Sequence, residues 1–279
     1  MTGEVIARTP LTYYGGKQRL ARLIVSHLPD HRNYVEPYAG GLAVLFAKPP
    51  SEREVVNDLD GEVVNFWQVL RERPDELAAV VAATPYARSE WMDSALAELH
   101  PVERARRFLV NVDQSYGRTR QSWSPPTLGK GRGRWQPTTW RNLPERITAA
   151  ADRLKGVAIE NRCATKVIAA SDTPNTVIYC DPPYAGPHRR EPNKGYAQDA
   201  KNVWPEMVDA LLALEHAQAV VSGYPCAASE RLESAGWSAI PVIGYDNAVG
   251  TRSGRARRKV PEMLWLHPSI PTPGGGDER

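Results

Sequence analysis

Residues 177–184 read Val-Ile-Tyr-Cys-Asp-Pro-Pro-Tyr, an apolar run that ends abruptly in an acid, two prolines and an aromatic residue. The first half is typical of a buried strand, because strand-forming residues follow one another without a polar break. Pro182 and Pro183 cannot donate to a strand ladder, so we expect the strand to end before them. The motif therefore predicts a rigid turn that presents Asp181 at the carboxyl end of a strand, where open α/β sheets bind ligands.

Two segments upstream also place an acid at the end of a predicted strand. Residues 34–41 read Tyr-Val-Glu-Pro-Tyr-Ala-Gly-Gly and lead into an apolar helix, and a strand, a glycine-rich turn and a helix together cradle nucleotide-like ligands. The next predicted strand, residues 54–58, ends in Asp58. An acid about 20 residues after the first strand binds ribose hydroxyls in nucleotide-binding α/β domains. A helix N-cap is the alternative interpretation of Asp58.

The whole chain contains seven candidate strands that mostly alternate with helices. Periodicity predicts helices over 17–27, 60–70, 74–99, 101–112, 140–154 and 205–216. The economical architecture is an α/β sheet with a helical, basic insert. We divide the chain into a catalytic domain of residues 1–75 and 146–279 and an insert of residues 76–145. The polar segment 185–202 follows the proline motif and is predicted to close over the site as a lid.

Basic residues are segregated from acidic ones in the insert. Residues 114–144 contain no acid, but they contain Arg118, Arg120, Lys130, Arg132, Arg134 and Arg141, and a second basic cluster spans 252–259. Tyr116, Trp123, Trp135 and Trp140 interleave with the first cluster. Basic side chains neutralise phosphates and planar ones stack on bases, so we predict DNA contact rather than a merely solvated loop.

The composition argues against a membrane protein, a secreted protein and a protein built on disulfides or zinc. No apolar run of the 279 residues approaches the roughly 20 residues that span a bilayer, and the amino terminus has no signal pattern, so we expect a cytoplasmic protein. Three widely spaced cysteines suggest neither a disulfide framework nor a zinc site. We expect no metal cofactor and a monomer in solution.

The proline motif suits chemistry at an exocyclic amine of a nucleobase. The lone pair of such an amine is delocalised into the ring, so the nitrogen is a poor nucleophile. Two acceptors for its N–H bonds, the Asp181 carboxylate and the Pro182 carbonyl, draw it towards tetrahedral geometry, and Tyr184 can stack on the base. The glycine turn and Asp58 suit a nucleoside-bearing cofactor without a phosphate site, and S-adenosylmethionine fits this description because its methyl transfer needs mainly positioning.

At these residues the sequence resembles the Dam-type (D12 class) N6-adenine DNA methyltransferases. Residues 13–17, Tyr-Tyr-Gly-Gly-Lys, resemble the amino-terminal cofactor motif of that family, and residues 35–41 resemble its Glu-Pro-Phe-x-Gly turn. Asn57-Asp58 matches the pair that includes the ribose-binding acid, residues 181–184 match the catalytic tetrapeptide, and residues 259–264 resemble the final strand. Tyr13 replaces the usual Trp, and residues 111–141 depart from the pattern of the enzymes that methylate GATC.

The resemblance implies a Rossmann-like fold for S-adenosylmethionine-dependent methyl transfer. Its sheet has seven strands, mostly parallel with the last one antiparallel, and an inserted, mainly helical target-recognition domain. The implied catalytic residues are Asp181, Pro182, Pro183 and Tyr184. The implied cofactor-binding residues are Tyr13, Lys17, Glu36, Tyr38, Gly40, Asp58 and Asp181. The predicted DNA-binding residues are Arg118, Arg120, Trp123, Arg132, Arg134, Arg257, Arg258 and Lys259.

The resulting hypothesis is a bacterial or phage-encoded enzyme that methylates N6 of a flipped-out adenine in a specific sequence of double-stranded DNA. One alternative is N4-cytosine methylation, which uses the same acceptor geometry. A second alternative is a DNA-binding relative whose catalytic site has decayed.

Overall fold

The computed structural model describes residues 8–13, 15–94, 100–126, 136–183, 200–242 and 261–272. Seven strands form one sheet in the order β3-β2-β1-β4-β5-β7-β6. The strands are β1 (Asn33–Glu36), β2 (Arg53–Asn57), β3 (Val157–Glu160), β4 (Thr176–Cys180), β5 (Gln218–Gly223), β6 (Ser238–Pro241) and β7 (Met263–Leu266).

The last strand is the antiparallel one. Strands β1 to β5 pair in parallel, whereas β7 runs antiparallel to both β5 and β6. The predicted seven-stranded, mostly parallel sheet of a Rossmann-like methyltransferase is therefore confirmed. The chain continues from β1 to its outer neighbour β2 and from β4 to its outer neighbour β5. The boundary between β1 and β4 is thus the switch point of the sheet, beside which ligands bind in open α/β folds.

Helices cover both faces of the sheet. They are α1 (Ala21–Ser26), α2 (Ala43–Ala47), α3 (Gly61–Glu72), α4 (Pro74–Ala82), α5 (Arg88–Met92), α6 (Pro101–Asp113), α7 (Gln136–Arg141), α8 (Leu143–Leu154), α9 (Ala164–Ala170), α10 (Ala200–Leu212) and α11 (Ala227–Ser234). Among the described residues, no helix is long and apolar enough to cross a membrane.

Strand β4 is buried along its whole length, as its apolar sequence predicts. Val177 and Tyr179 pack into one hydrophobic core, and Ile178 and Cys180 pack into a second core on the opposite face. This division follows from the alternation of side chains along a strand. Burial on both faces is what a parallel sheet requires, and it explains why β4 lacks the polar residues of a half-exposed strand.

The described helices of the predicted insert share the first of these cores. Leu77 of α4 and Phe108 of α6 are fully buried together with Tyr34 of β1 and with Ile147, which follows the insert on α8. The proposed division at residues 75 and 146 stays a prediction. The apolar faces of α4 and α6 pack against the sheet and form one hydrophobic core with it.

Three predicted helices differ from the observed ones in their bounds. The prediction over 74–99 is wrong as a single helix, because α4 ends at Ala82 and Pro85, which has no backbone N–H, precedes α5. The helix predicted over 140–154 is two helices, α7 and α8. Helix α10 begins at Ala200, inside the segment predicted as a lid, and residues 185–199 of that segment lie outside the described residues.

Candidate active site

A cleft opens at the carboxyl ends of the parallel strands, beside the boundary between β1 and β4. It encloses about 1110 Å³ of empty space, its open mouth included. Glu36 is the last residue of β1, and Asp181 directly follows β4. All seven predicted cofactor-binding residues line this cleft: Tyr13, Lys17, Glu36, Tyr38, Gly40, Asp58 and Asp181. Residues far apart in sequence therefore meet at one edge of the sheet.

Asp181 is held in a network of buried charges. Lys17 Nζ lies 2.5 Å from Asp181 Oδ1, and the Ser222 hydroxyl donates to the same oxygen at 3.2 Å. Lys17 also pairs with Glu262 at 3.1 Å, and only 3% of its side chain is exposed. Burial raises the pKa of Asp181, while the charge and hydrogen bond of Lys17 lower it. Lys17 therefore favours the ionised form of a carboxylate that burial alone would neutralise.

The turn after β4 is fixed by the indole of Trp204 in α10. Trp204 Nε1 donates to the Pro183 carbonyl at 3.0 Å, and the ring is 1% exposed. The ring lies directly against the backbone of Gly223 at the end of β5, where a β-carbon would come within 2.5 Å of it. Gly223 therefore makes room for the tryptophan that holds the turn. Tyr184 lies outside the described residues, so its stacking role stays a prediction.

The glycine turn at residues 40–41 is shaped by contacts on both sides. Gly40 has a φ of +43°, in the left-handed region that favours glycine. Its N–H donates to Asp58 Oδ2 at 2.9 Å, and its carbonyl accepts from Trp67 Nε1 at 2.9 Å. A β-carbon at Gly40 would lie 3.3 Å from the Tyr13 ring. The turn thus brings bare backbone and an aromatic ring to the same wall of the cleft.

Asp58 orients this turn and is no helix cap. Its two oxygens accept from the N–H groups of Gly40 and Asp60, each at 2.9 Å. Asp60 is the residue that caps α3, because its Oδ1 accepts from Glu62 N at 3.0 Å. The N-cap interpretation of Asp58 is therefore wrong. Burial raises the pKa of Asp58 to about 6.

Glu36 is the most deeply buried acid of the cleft wall. Its Oε1 accepts from the Tyr34 hydroxyl at 2.6 Å and from Leu45 N at 2.8 Å. Burial, more than any neighbouring charge, raises the pKa of Glu36 to about 8. A carboxyl group with this pKa is largely protonated at neutral pH, and a cation nearby would favour its ionised form.

Carboxyl groups outnumber basic side chains in the described lining of the cleft. Its carboxyl groups belong to Glu36, Asp58, Asp60, Asp181 and Glu206, and the one basic side chain in the described lining is that of Lys17. Such a cleft favours a positively charged ligand.

Several lining residues were missed by the sequence-based predictions. Cys163 precedes α9 and Thr165 lies in its first turn, directly after β3, which is parallel to β2 and ends at the same edge. That topology is a signal that the sequence contains, since the carboxyl ends of parallel strands share one edge. Val203 and Glu206 of α10 also line the cleft, and no motif in the sequence marks them.

The structure describes three of the eight predicted DNA-binding residues. Arg118, Arg120 and Trp123 lie on one loop, which a bridge between Ser115 and Trp123 closes at its base. Arg132, Arg134, Arg257, Arg258 and Lys259 lie outside the described residues. Arg118 pairs with the buried Asp113, and Arg120 pairs with Asp60. The described arginines thus have internal partners, and their contact with DNA stays a prediction.

The aromatic residues of this region differ in exposure. Tyr116, on the loop between Ser115 and Trp123, is 70% exposed. Trp123 packs beneath the guanidinium of Arg88, 4.6 Å from its ring centroid. Trp140 is buried and donates to the Thr84 carbonyl at 2.7 Å. The interpretation of Trp140 as a base-stacking residue is therefore wrong, whereas Tyr116 remains accessible.

Comparison with known proteins shows which enzymes this chain is similar to. Residues 13–106 match the model of the family described as D12 class N6 adenine-specific DNA methyltransferase. A DNA adenine methylase of Vibrio cholerae serotype O1 is 24% identical over 276 residues, which cover 93% of this chain and 95% of the relative. Both matches are to adenine-specific DNA methyltransferases. The resemblance noted in the sequence is thereby confirmed, and the chain is an enzyme.

Shorter matches point in the same direction. The Type II methyltransferase M1.LlaDCHI of Lactococcus lactis subsp. cremoris is 29% identical over 111 residues, 36% of this chain and 39% of the relative. The DNA N-6-adenine-methyltransferase of Escherichia phage P1 is 25% identical over 188 residues, 63% of this chain and 24% of the relative. The family supports N6-adenine methylation with DNA as substrate, and methyltransferases in general use S-adenosylmethionine.

Proposed function

We propose that this methyltransferase transfers the methyl group of S-adenosylmethionine to N6 of an adenine that is flipped out of a specific sequence in double-stranded DNA. The observation that carries the proposal is the position of Asp181. It stands at the switch point of the sheet, in one cleft with the glycine turn and Asp58, and both of its described contacts reach the same oxygen. Its second oxygen is thereby assigned to the substrate amine.

The lining of the cleft fits this cofactor in charge and shape. The close approach of Tyr13 to the glycine turn suits a flat ring and a ribose, and Asp58 supplies the acceptor for ribose hydroxyls. Glu36 and the other carboxyl groups suit a ligand that carries a sulfonium and an ammonium charge. When bound, S-adenosylmethionine supplies a methyl group made electrophilic by its sulfonium.

The chain activates the amine by hydrogen bonding. Asp181 and the Pro182 carbonyl each accept one N–H bond, which concentrates the lone pair on nitrogen and aims it across the cleft. Pro182 is buried and has no N–H that competes for the substrate. The methylated nitrogen must then lose a proton, and Asp181, already hydrogen-bonded to it, is placed to receive that proton before solvent does.

Lys17 contributes through Asp181. Its ammonium group pairs with the carboxylates of Asp181 and Glu262. The one positive and two negative charges leave a net charge of one negative unit. We therefore assign Lys17 to the orientation and ionisation of Asp181, in addition to the wall that it forms in the cofactor cleft. This assignment refines the simple cofactor contact predicted from sequence.

Base flipping is part of the proposal because the adenine amine must reach the cleft. The N6 amine of a paired adenine cannot enter a cleft at the end of a sheet while it remains stacked in the duplex. The exposed Tyr116 ring lies on a loop beside the cleft and is available to fill or hold open the gap in the duplex. The arginines outside the described residues are assigned to the phosphates.

One experiment tests the base, the cofactor and the activity together. The protein is incubated with labelled S-adenosylmethionine and genomic DNA, and the DNA is digested to nucleosides. We expect labelled N6-methyladenine. Labelled N4-methylcytosine would favour the alternative reading of the acceptor geometry. Absence of any labelled nucleoside, together with no heat on titration of the cofactor, would identify a decayed site.

Sequence specificity is tested separately. Modification-sensitive sequencing of host DNA from cells that express the chain should show methylated adenines in one short sequence context. Methylation spread without regard to flanking bases would contradict the specific-site part of the proposal.

A further inference from the structure

We propose that Arg120 is a positioning residue that couples the cofactor cleft to the arginine loop, residues 115–123, so that cofactor and DNA raise each other's affinity. The inference rests on the proposed function, because it takes the cleft as the cofactor site and the loop as part of the DNA surface. It gives Arg120 a role different from the phosphate contact predicted from the sequence.

The contacts of Arg120 run from the loop to two walls of the cleft. Both terminal nitrogens lie near Asp60 Oδ2, at 3.3 and 3.4 Å. The guanidinium carbon lies 5.9 Å from the centroid of the Tyr13 ring and 5.7 Å from that of Phe108. Distances of this size allow cation–π attraction. Asp60 and Tyr13 both line the cleft, so Arg120 joins the loop to the residues that would contact the cofactor.

The two carboxylate oxygens of Asp60 make different contacts. Oδ1 accepts from Glu62 N and caps α3, whereas Oδ2 faces Arg120. The N–H of Asp60 donates to Asp58, the predicted ribose partner. A continuous set of contacts therefore leads from the ribose position through Asp60 to the loop, and the helix cap keeps Asp60 in one orientation.

The arginine loop holds a conformation that isolated chains disfavour. Gly117, Arg118 and Arg120 have φ values of 62°, 61° and 61°. The left-handed region is unfavourable for the two arginines, which carry a β-carbon, so neighbouring contacts must maintain it. The Arg120 N–H donates to Ser115 Oγ at 3.1 Å, and its side chain is tied to Asp60. Loss of the Asp60 pair should therefore loosen the loop.

Cofactor and DNA should strengthen rather than weaken each other's binding, because the nucleoside end of the cofactor carries no charge. Adenine and ribose are uncharged, so they do not compete with Arg120 for Asp60. Their binding immobilises Tyr13 and the segment around Asp58, which fixes the surfaces that Arg120 contacts. A loop that is already ordered costs less to bind, so cofactor and DNA should favour each other, and by linkage the effect is reciprocal.

The test measures this coupling by calorimetry with the full chain. The probes are S-adenosylhomocysteine, which cannot react, and a duplex carrying the sequence found by methylation mapping. The dissociation constant of S-adenosylhomocysteine is measured with and without saturating duplex. We expect the duplex to tighten binding at least ~5-fold in the wild-type protein, within the usual range of coupling energies. Arg120→Ala should reduce this ratio to below ~2-fold.

Two further variants make the result specific. Asp60→Asn retains an oxygen for the cap but turns an amide N–H towards Arg120, so it should abolish the coupling without removing the arginine. Arg104→Ala is the matched control, because Arg104 pairs with Glu62 in the first turn of the same helix at 2.6 Å but lies on α6, outside the loop. It should retain the wild-type ratio.

The outcomes separate the inference from the proposed function. If Arg120→Ala or Asp60→Asn retains the wild-type ratio, the inference is overturned and the function stands. If Arg120→Ala weakens DNA binding equally with and without cofactor, and lowers the salt dependence by about one phosphate, Arg120 is a phosphate contact instead. If the wild-type protein alone binds no S-adenosylhomocysteine, the proposed function fails, and the inference fails with it.

Discussion

At the scale of single residues, the contacts of Asp181 allow its proposed catalytic role to be tested. Lys17 and Ser222 both hold Oδ1. In Asp181→Asn these donors should keep the side-chain oxygen at that position, so the amide N–H₂ takes the place assigned to the substrate acceptor. We expect kcat to fall by about 10²–10³-fold, the range for loss of one aligned polar group in an active site. Binding of S-adenosylhomocysteine, measured by calorimetry, should change little.

Ser222→Ala provides the control for this prediction. It removes the weaker donor to Oδ1, at 3.2 Å, and leaves both acceptor positions in place. Because the ionised Asp181 keeps its shorter bond to Lys17, loss of the hydroxyl donor should lower kcat by about 10-fold at most, the effect of about 1.4 kcal/mol. A rate for Asp181→Asn as high as that for Ser222→Ala would contradict the acceptor role.

Lys17 allows a second prediction at the same scale, based on pH. Its charge lowers the pKa of Asp181, against the effect of burial. Lys17→Met should therefore raise that pKa, so that the ionised acceptor forms only at higher pH. Since the reaction needs the ionised form, we expect the acid limb of the kcat profile to move to higher pH, with partial recovery of the rate under alkaline conditions.

Glu262 complicates this variant, because it also pairs with Lys17 and is 6% exposed. The double variant Lys17→Met/Glu262→Gln removes the stranded charge and should fold better than the single variant while keeping the displaced acid limb. An acid limb that stays at the wild-type position in both variants would show that Lys17 does not act through Asp181.

At the scale of secondary-structure elements, α10 and β5 together hold the turn that follows β4. Trp204→Phe keeps an aromatic ring against Gly223 but removes the donor to the Pro183 carbonyl. The loss of one hydrogen bond that positions the turn should lower kcat by roughly 10-fold, with cofactor affinity unchanged. Single-turnover kinetics and calorimetry measure the two quantities separately.

Trp265→Phe is a suitable control for the loss of packing. Trp265 contacts Trp204 edge to face in the same core, at 5.8 Å between ring centroids, but its indole N–H donates to Glu233, away from the cleft. It should lower the unfolding temperature about as much as Trp204→Phe without affecting kcat. An equal loss of kcat in both variants would mean that general loosening of the core explains the effect.

The elements also show which structural signals the sequence contains. The apolar run of β4, the two prolines and the acids at the ends of β1 and β2 are local patterns, and they predicted the sheet and the acids at the ends of its strands correctly. Pro85 is a local signal for the break that the helix prediction over 74–99 did not use, because the helical residues on both sides favour continuation. Helix propensity is a weak signal, and tertiary packing of α4 and α6 sets the actual ends.

At the scale of the whole molecule, the information that the sequence lacks is long-range pairing. Lys17 and Asp181 are 164 positions apart, and Arg120 and Asp60 are 60 apart. No periodicity relates such residues, and each alone suggests a different role: a cofactor contact, a phosphate contact or a cap. Only the closed fold shows that these charges neutralise one another, which is why residue types were predicted better than residue partners.

The pH dependence of global stability is the final prediction and concerns Glu36. The pKa of Glu36 in the folded protein, about 8, lies above the ordinary value of 4.5. A raised folded pKa means that its contribution to stability is complete below about pH 4.5 and is lost as the pH rises through about 8. The free protein should therefore lose stability between pH 5.5 and 7.5, by up to ~1.36 kcal/mol per pH unit from this one group.

Glu36→Gln isolates that contribution from those of Asp58 and the other acids. Its amide oxygen can still accept from Tyr34 and Leu45 N, but it carries no titrating proton, so its free energy of unfolding should depend less steeply on pH over the same interval. Urea unfolding at several pH values measures the difference. A cationic cofactor would favour the ionised form of Glu36. Cofactor binding at pH 7 should therefore release more protons per bound molecule from the wild-type protein than from the variant. Calorimetry in buffers of different ionisation enthalpy detects that proton, and equal release by both proteins would show that Glu36 does not face the cofactor.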